Sequence, residues 1–496
     1  MIGLLVAVVV AVAGCTSPAA THPKPAQPAA AHDRSRPNFV FVLTDDLSWN
    51  LVSHMPHLLA LERAGTTMSR YYVVDSLCCP SRSAIFTGQY PHDDGVFTNA
   101  GRDGGYFAFD QHGDQRKSFA LALHRAGYRT AMMGKYLNQY QPGYPEPPGW
   151  DEWDVAGNAY GEFDYNLNQN GRQQHYGSAP QNYLTDVLAG KASAFIDSSA
   201  ASGRPFMLEV ATFAPHAPYT PAPRYAHAAQ QLTYPKTPAY DRLPANPPAW
   251  LKGHPPLSAA DQDTITTDFR KRVEDDLSVD DLIGQLENEL RATGLDRNTY
   301  FVFSSDNGYH MGQHRLLPGK ETAFDTDIRV PLIIAGPGVP GGTVISQVVQ
   351  NVDLYPTFVQ LAGSRPVGSV DGRSLLPLLH RAAGAAVTWP TVALIEHHGP
   401  SDVSDPDFEN GELGGNPSAY EAIRVSDPQL GNAVYVEYER TGKREYHNID
   451  QDPYERDNTY KLLSASTRAW LHTTLTRLER CHTAAACWAA GDPRVG

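Results

Sequence analysis

Uninterrupted apolar runs stand out along the chain, and four of them end in polar clusters. Asn38–Thr44 ends in Asp45-Asp46, and Tyr128–Met133 ends at Gly134-Lys135. Pro205–Ala211 runs toward Pro215-His216, and Tyr300–Ser304 ends in Asp306-Asn307-Gly308. Apolar, β-branched and aromatic runs without alternation read as strands buried on both faces. Helical patterns lie between them. Ser278 is placed to cap a helix over Val279–Thr293, with Asp281 three residues on, Gly294 as the stop, and Val279, Leu282, Ile283, Leu286 and Leu290 as one stripe. Ser118–Ala126 reads as a second helix, ending at Gly127. Strands alternating with helices predict an α/β fold with a mostly parallel sheet flanked by helices. Ligands of such sheets bind beyond the carboxyl ends of the strands, so the four polar clusters are expected to converge on one site.

The pattern changes after about residue 380. Thr391–Glu396, Ala422–Val425 and Ala433–Tyr438 predict shorter strands, and Ser464–Arg480 a helix, as in a smaller α+β domain over residues 381–496. At the other end, Leu4–Ala13 is apolar but too short to span a bilayer. It closes on Val12-Ala13-Gly14-Cys15, which resembles a bacterial lipobox and implies a signal peptide over residues 1–15 with Cys15 lipidated. A signal peptide normally opens with positive charge, and Met1-Ile2-Gly3 has none. Residues 16–36 are rich in Ala, Pro, Ser and Thr and cannot build a core, so they read as a tether. This predicts an exported chain, at a bacterial surface through a lipid anchor or secreted. Cys481 and Cys487, close to one another, read as structural, as a disulfide or as two thiols. The net charge of −14 argues against a nucleic-acid partner and requires a local cationic pocket for any anionic substrate.

The candidate chemistry centres on Ser76-Leu77-Cys78-Cys79-Pro80-Ser81-Arg82, followed by Thr87-Gly88. Pro80 suits the opening of a helix. The free N–H groups of a helix start favour an anion, and Arg82 is placed to grip one. Asp45, Asp46, Asp306 and Asn307 offer only oxygen ligands, which suit Ca²⁺, and Mg²⁺ less well. Acidic pairs after strands also serve as plain caps and turns. Lys135, His216 and Lys320 are the remaining cationic candidates.

Cys78-x-Pro80-Ser81-Arg82 with Thr87-Gly88 resembles the signature of the type I sulfatases. Spacing to Pro80 and Arg82 selects Cys78 and leaves Cys79 on the variable position. Gly134-Lys135-Tyr136-Leu137-Asn138, Ser305-Asp306-Asn307-Gly308-Tyr309-His310 and the stretch from Phe269-Arg270-Lys271-Arg272 to Asp281-Leu282 resemble the N-acetylglucosamine-6-sulfatase branch. Most sulfatases have a histidine where this chain has Leu137, which makes His310 a candidate for that role or for sugar contact. Asn448 to Glu455 resembles the sulfatase C-terminal turn.

The resemblance implies an alkaline-phosphatase-like catalytic domain over residues 37–380 that hydrolyses sulfate esters, with 6-O-sulfated N-acetylglucosamine or a related glycan as substrate. It implies that a formylglycine-generating enzyme oxidises Cys78 to formylglycine, whose hydrate attacks sulfur. It further implies that Asp45, Asp46, Asp306 and Asn307 hold a divalent cation beside residue 78. His216 or Lys320 would protonate the leaving alcohol, while Arg82 and Lys135 hold the site and its charge. The rival readings are a phosphate or phosphonate monoesterase of the same superfamily and an inactive glycan-binding lipoprotein. The aromatic-rich region from Pro142 to Gln181, with Trp150, Trp153, Tyr160 and Tyr165, shapes either a sugar pocket or the core.

Overall fold

A computed structural model describes residues 36–381, 386–401, 410–428 and 430–492, with residues 1, 3 and 4. Cys15, most of the leader and the tether up to residue 35 lie outside the described residues.

Asn38–Thr44 runs through the middle of a ten-stranded sheet. It pairs in parallel with Thr299–Ser305 on one side and Phe206–Ala211 on the other. Phe206–Ala211 pairs in parallel with Arg129–Lys135, which pairs in parallel with Glu152–Ala156. The four apolar runs are therefore adjacent strands of one direction, and their polar ends share one edge. Antiparallel strands extend both flanks: Leu332–Ala335 beside Thr299–Ser305, and Tyr165–Gln169 then Arg172–Tyr176 beyond Glu152–Ala156.

Side chains alternate across the strands, so each buried strand feeds two cores. Phe39 and Phe41 pack with Ile85, Phe86, Leu354 and Phe358 of the helices on one face. Val40 and Val42 pack with Leu188, Ile196, Leu282 and Leu286 on the other. That second face carries the helices Leu184–Ser202 and Ala259–Ala292.

Ser118 caps its helix, its side chain accepting from Leu121 N. Ser278 does not cap one. The helix runs unbroken over Ala259–Ala292, opened by a capping box between Ser258 and Asp261, and Ser278 is buried in its interior. The apolar stripe already starts at Ile265 and Phe269, so the local Ser-x-x-Asp signal is overridden by a periodicity that continues through it.

The C-terminal part is a four-stranded antiparallel sheet, Val392–His397, Tyr420–Asp427, Gly431–Tyr438 and Arg444–Asn448. The last strand carries Arg444, Glu445 and His447 among its five residues and lacks an apolar run. This sheet and the helix Ala465–Leu478 share a core with Val74 and Ala84, the latter from the cysteine-bearing helix. Cys481 and Cys487 form a disulfide that ties the following short helix, Ala484–Ala490, to the turn before it.

Candidate active site

The motif helix spans Cys78–Thr87, and all ten of its residues are buried. Pro80 is its third residue rather than its first, where its missing N–H still falls among the groups that have no partner inside the helix. Of the N–H groups expected to receive an anion here, those of Cys79 and Ser81 are already engaged. Cys79 N donates to Asn99 Oδ1 at 3.0 Å, Ser81 N donates to Leu77 O at 3.1 Å, and Pro80 has nothing to donate. Positive charge in the site therefore comes from side chains. Gly88, in the left-handed region at φ 66°, ends the helix and turns the chain away.

Around Cys78 the strand ends deliver their polar clusters. Lys135 Nζ pairs with Asp45 Oδ2, and Lys320 Nζ lies 2.8 Å from both Asp46 Oδ1 and Cys78 Sγ. Gly134 makes the delivery of Lys135 possible: it sits at φ 98°, and a Cβ there would stand 1.9 Å from Ala211 O. Arg82 donates through Nε to Asp306 Oδ2 at 2.7 Å and through Nη1 to Lys135 O at 3.1 Å. Asp306 Oδ1 accepts from Asp46 N and Asn307 N. Asn307 Nδ2 donates to Asp46 Oδ1 at 2.6 Å. His216 Nδ1 lies 2.8 Å from Ala217 O, so that nitrogen carries the proton and Nε2 faces Asp46 Oδ2 at 3.6 Å. Ligand atoms of Asp45, Asp46, Cys78 and His216 all lie within 4.8 Å of one another.

The charges follow from this packing. Burial alone would push the Asp45 carboxyl up, but Lys135 and His216 outweigh it and hold it below the usual carboxylate range. Burial likewise opposes ionisation of Asp46, and Lys320 and His216 again prevail. Asp306 is pushed up by burial and by the neighbouring Asp45 charge, against Arg82. Burial raises the Cys79 thiol to about 12, so Cys79 is an inert core residue.

Asp45 Oδ1, Asp46 Oδ2 and Asn307 Oδ1 are buried and accept no hydrogen bond. Three converging oxygen acceptors, sealed from water and without a donor, fit a hard divalent cation. Asp306 differs from these three: its Oδ1 accepts from Asp46 N and Asn307 N and its Oδ2 from Arg82 Nε.

His310 takes a different position. Its ring contacts Asp327 at 2.9 Å and Gly414 O at 3.0 Å, and its backbone pairs with Gly319. It braces the loop that carries Lys320 and does not present its ring to Cys78. Leu137 is core. The aromatic region divides: Trp153 and Tyr165 are core, and Trp150 packs half-buried against it. Tyr160 instead lies with its ring tilted at 43°, 4.5 Å from the His216 ring, and Lys135 Nζ sits 4.9 Å over its own. Lys135, Tyr160 and Phe213 line a cavity of about 440 Å³.

Two features escaped the sequence reading as site residues. Arg272, fully buried, donates to Asp46 O at 2.5 Å and lies 4.1 Å over the Tyr309 ring, clamping Asp46 in the left-handed region at φ 64°. Its signal was available: Arg272, Asp275 and Asp276 are charged residues on the buried stripe of their helix. The second feature is a brace from the C-terminal sheet. His397 lies 3.1 Å from Asp75 and 3.8 Å from Glu321, near Cys78 and next to Lys320 in the chain. No local pattern joins residues so far apart in sequence.

Residues 37–364 match the family model described as Sulfatase. The chain is 37% identical over 380 residues to an extracellular sulfatase SULF-1 homolog of Drosophila melanogaster, covering 75% of this chain and 34% of the relative. The chain thus spans about a third of that relative's length. It is 33% identical over 475 residues to the N-acetylglucosamine-6-sulfatase of Homo sapiens, covering 90% of this chain and 85% of the relative. A solved structure described as a complex with its substrate D-glucosamine-2-N,6-O-disulfate superposes with a TM-score of 0.74 at 23% identity, covering 90% of this chain and 98% of that one. That likeness is one of fold, an alkaline-phosphatase-like sheet with a small C-terminal sheet.

Proposed function

The chain belongs to the sulfatase family, and from that premise we propose that it hydrolyses sulfate esters, with 6-O-sulfated N-acetylglucosamine or a related glycan as substrate. The observation that carries this reading is the position of Cys78 Sγ, 2.8 Å from Lys320 Nζ and grouped with Asp45, Asp46 and His216 in a buried cluster. The 33% identity to an N-acetylglucosamine-6-sulfatase, over 85% of that relative, supports the sugar.

In this reading Asp45, Asp46, Asp306 and Asn307 hold a divalent cation, Ca²⁺ before Mg²⁺. When bound, it supplies Lewis-acid polarisation of the oxygens gathered there. Formylglycine formed from Cys78 supplies the nucleophile. The chain's own residues do the rest. Arg82 and Arg272 fix the carboxylates, one through Asp306 and one through the backbone of Asp46. Lys135 and Lys320 place positive charge where the sulfate ester gains negative charge. His216, with its Nε2 facing the site, and Lys320 are the two groups within reach to hand a proton to the leaving alcohol. Their burial excludes bulk water, which strengthens each of these interactions. The cavity bounded by Lys135 and Tyr160 takes the sugar that bears the sulfate.

The chain organisation that goes with this is a lipidated Cys15, a tether over residues 16–36, a catalytic unit over 37–380 and a supporting unit over 381–496. Extracellular relatives support export, and no helix among the described residues is long and apolar enough to cross a membrane.

The test is twofold. The peptide carrying Cys78, isolated from the native host with thiols blocked, is expected to have the mass of the aldehyde or its hydrate, with Cys79 still a blocked thiol. Sulfate release from 6-O-sulfated N-acetylglucosamine is expected to exceed phosphate release from the 6-phosphate in kcat/KM. Two unmodified thiols, or comparable turnover of the phosphate ester, would overturn the reading.

A further inference from the structure

The loop that carries Lys320 is gripped by the small C-terminal sheet. His397 closes the strand Val392–His397, and its register partner Tyr420 opens the strand Tyr420–Asp427. The Tyr420 hydroxyl donates to Glu321 O at 3.1 Å, and the Ser401 hydroxyl donates to Glu321 Oε2 at 2.8 Å. Further along the loop, Arg424 Nε donates to Asp325 Oδ1 at 2.8 Å, and Glu455 Oε2 accepts from Asp325 N at 2.9 Å. The other side of the loop meets the cysteine segment at Ser76, which accepts from Glu321 N and donates to Thr322 O.

His397 stands between two carboxyl groups. Its Nδ1 lies 3.1 Å from Asp75 Oδ1 and its Nε2 lies 3.8 Å from Glu321 Oε2, and all three residues are buried. The ring stacks 5.0 Å from that of Tyr420, which fixes its plane. Burial opposes a charge on His397, yet Asp75 and Glu321 outweigh it and hold the imidazole above its usual range. Burial also raises Glu321 to about 7, and His397 opposes this more strongly than Ser401 or Lys320 does. Glu321 follows Lys320 directly and sits in the left-handed region at φ 76°, a conformation that a non-glycine residue adopts at a cost. A buried carboxylate beside a buried ammonium pairs with it unless another cation holds the carboxylate. His397 is that other cation. Lys320 is left to Asp46 Oδ1 and Cys78 Sγ, each 2.8 Å from its Nζ.

We propose that His397 is a positioning residue, which by holding Glu321 keeps Lys320 directed at Cys78 and Asp46. The C-terminal sheet is then part of the apparatus of catalysis and not a support alone. This rests on the sulfatase reading above for what Lys320 does. Two variants separate the arms of the ring. His397→Asn retains a donor where Nδ1 meets Asp75 and loses the arm to Glu321, and His397→Gln does the reverse. On 6-O-sulfated N-acetylglucosamine, His397→Asn is expected to lower kcat about tenfold with KM changed less than about twofold, and His397→Gln to lower kcat about threefold. Adding Glu321→Gln to His397→Asn should bring kcat back to within about threefold of wild type, because no carboxylate then draws Lys320 away. Equal losses in the two histidine variants, a loss confined to KM, or no recovery in the double variant would overturn the assignment.

The second readout needs no turnover. Backbone hydrogen exchange of the full chain should quicken about tenfold in the peptide from Lys320 to Phe324 in His397→Asn and in Tyr420→Phe, with the helix Ala259–Ala292 unchanged. Tyr420→Phe removes one oxygen and keeps the packing, so the grip is tested even where a histidine variant does not fold. Unchanged exchange in that peptide, or equal acceleration throughout the chain, would overturn the positioning role. Local acceleration in a protein whose wild type releases no sulfate from any ester would retain the grip on the loop and reject the sulfatase reading instead.

Discussion

At the scale of single residues, the site depends on pairing buried charges. Lys320 touches both Asp46 and Cys78, so under the proposed function Lys320→Met should lower kcat by ~10²–10³ with a smaller change in KM, measured by sulfate release. A matching loss confined to KM would reduce Lys320 to a binding group. Glu209 illustrates the opposite treatment of a charge. It is fully buried in a central strand, neither carboxyl oxygen has a hydrogen-bond partner, and burial raises it to about 8 against the help of Arg82. The folded chain therefore holds a proton that the unfolded chain releases near 4.5. Stability should fall as pH climbs from about 4.5 toward about 8, since the native state must then either ionise a buried group or keep binding a scarce proton. Glu162, also raised to about 8 by burial, adds to the same slope. Calorimetric Tm values from about pH 5 to about pH 9 should show that Glu209→Gln flattens part of this fall; an unchanged slope would remove Glu209 from the account.

At the scale of elements, the four central parallel strands were legible in the sequence, since strands buried on both faces are largely apolar, whereas polar strands such as Arg172–Tyr176 and Arg444–Asn448 were not. The shared direction of the four followed from helices set between them, and the convergence of their polar ends followed in turn. Helix limits were less legible. Ser278 looked like a cap because its neighbours suit one, yet tertiary burial of the preceding stripe carries the helix through it. Nor could a local pattern reveal caps supplied from a distance. The helix Pro56–Ala64 starts after Met55, which has no capping group. Its first N–H groups instead donate to Asp280, in the middle of the long helix, His57 N at 3.0 Å and Leu58 N at 2.9 Å. Asp280→Ala should cost about 1–2 kcal/mol in urea unfolding, like the loss of a local cap, because two donors, one of them buried, lose their acceptor. The same reasoning accounts for the brace at His397, whose partners are distant in the chain and meet only when the small sheet docks.

At the scale of the whole molecule, an acidic protein of net charge −14 is asked to capture an anion. That these polar strand ends would meet was readable from the sequence, but their electrostatic balance was not, because that depends on who pairs with whom. Lys135 is matched to Asp45, Lys320 to Asp46 and Arg82 to Asp306, so these three cations each already face a carboxyl group, while Arg272 meets Asp46 at its backbone oxygen. Within the three pairs the charges cancel, and a bound divalent ion supplies the surplus that an incoming sulfate would feel. Metal and sulfate are then mutual effectors, and reciprocity requires that each raise the affinity of the other by the same factor. Titrations of sulfate with and without Ca²⁺, and of Ca²⁺ with and without sulfate, should yield one shared coupling factor of about tenfold or more. Sulfate affinity that survives chelation would break the link. Where the coupling holds, the released sulfate locks the ion in place, and scarcity of metal is felt first as failure to capture substrate, before any slowing of the chemistry.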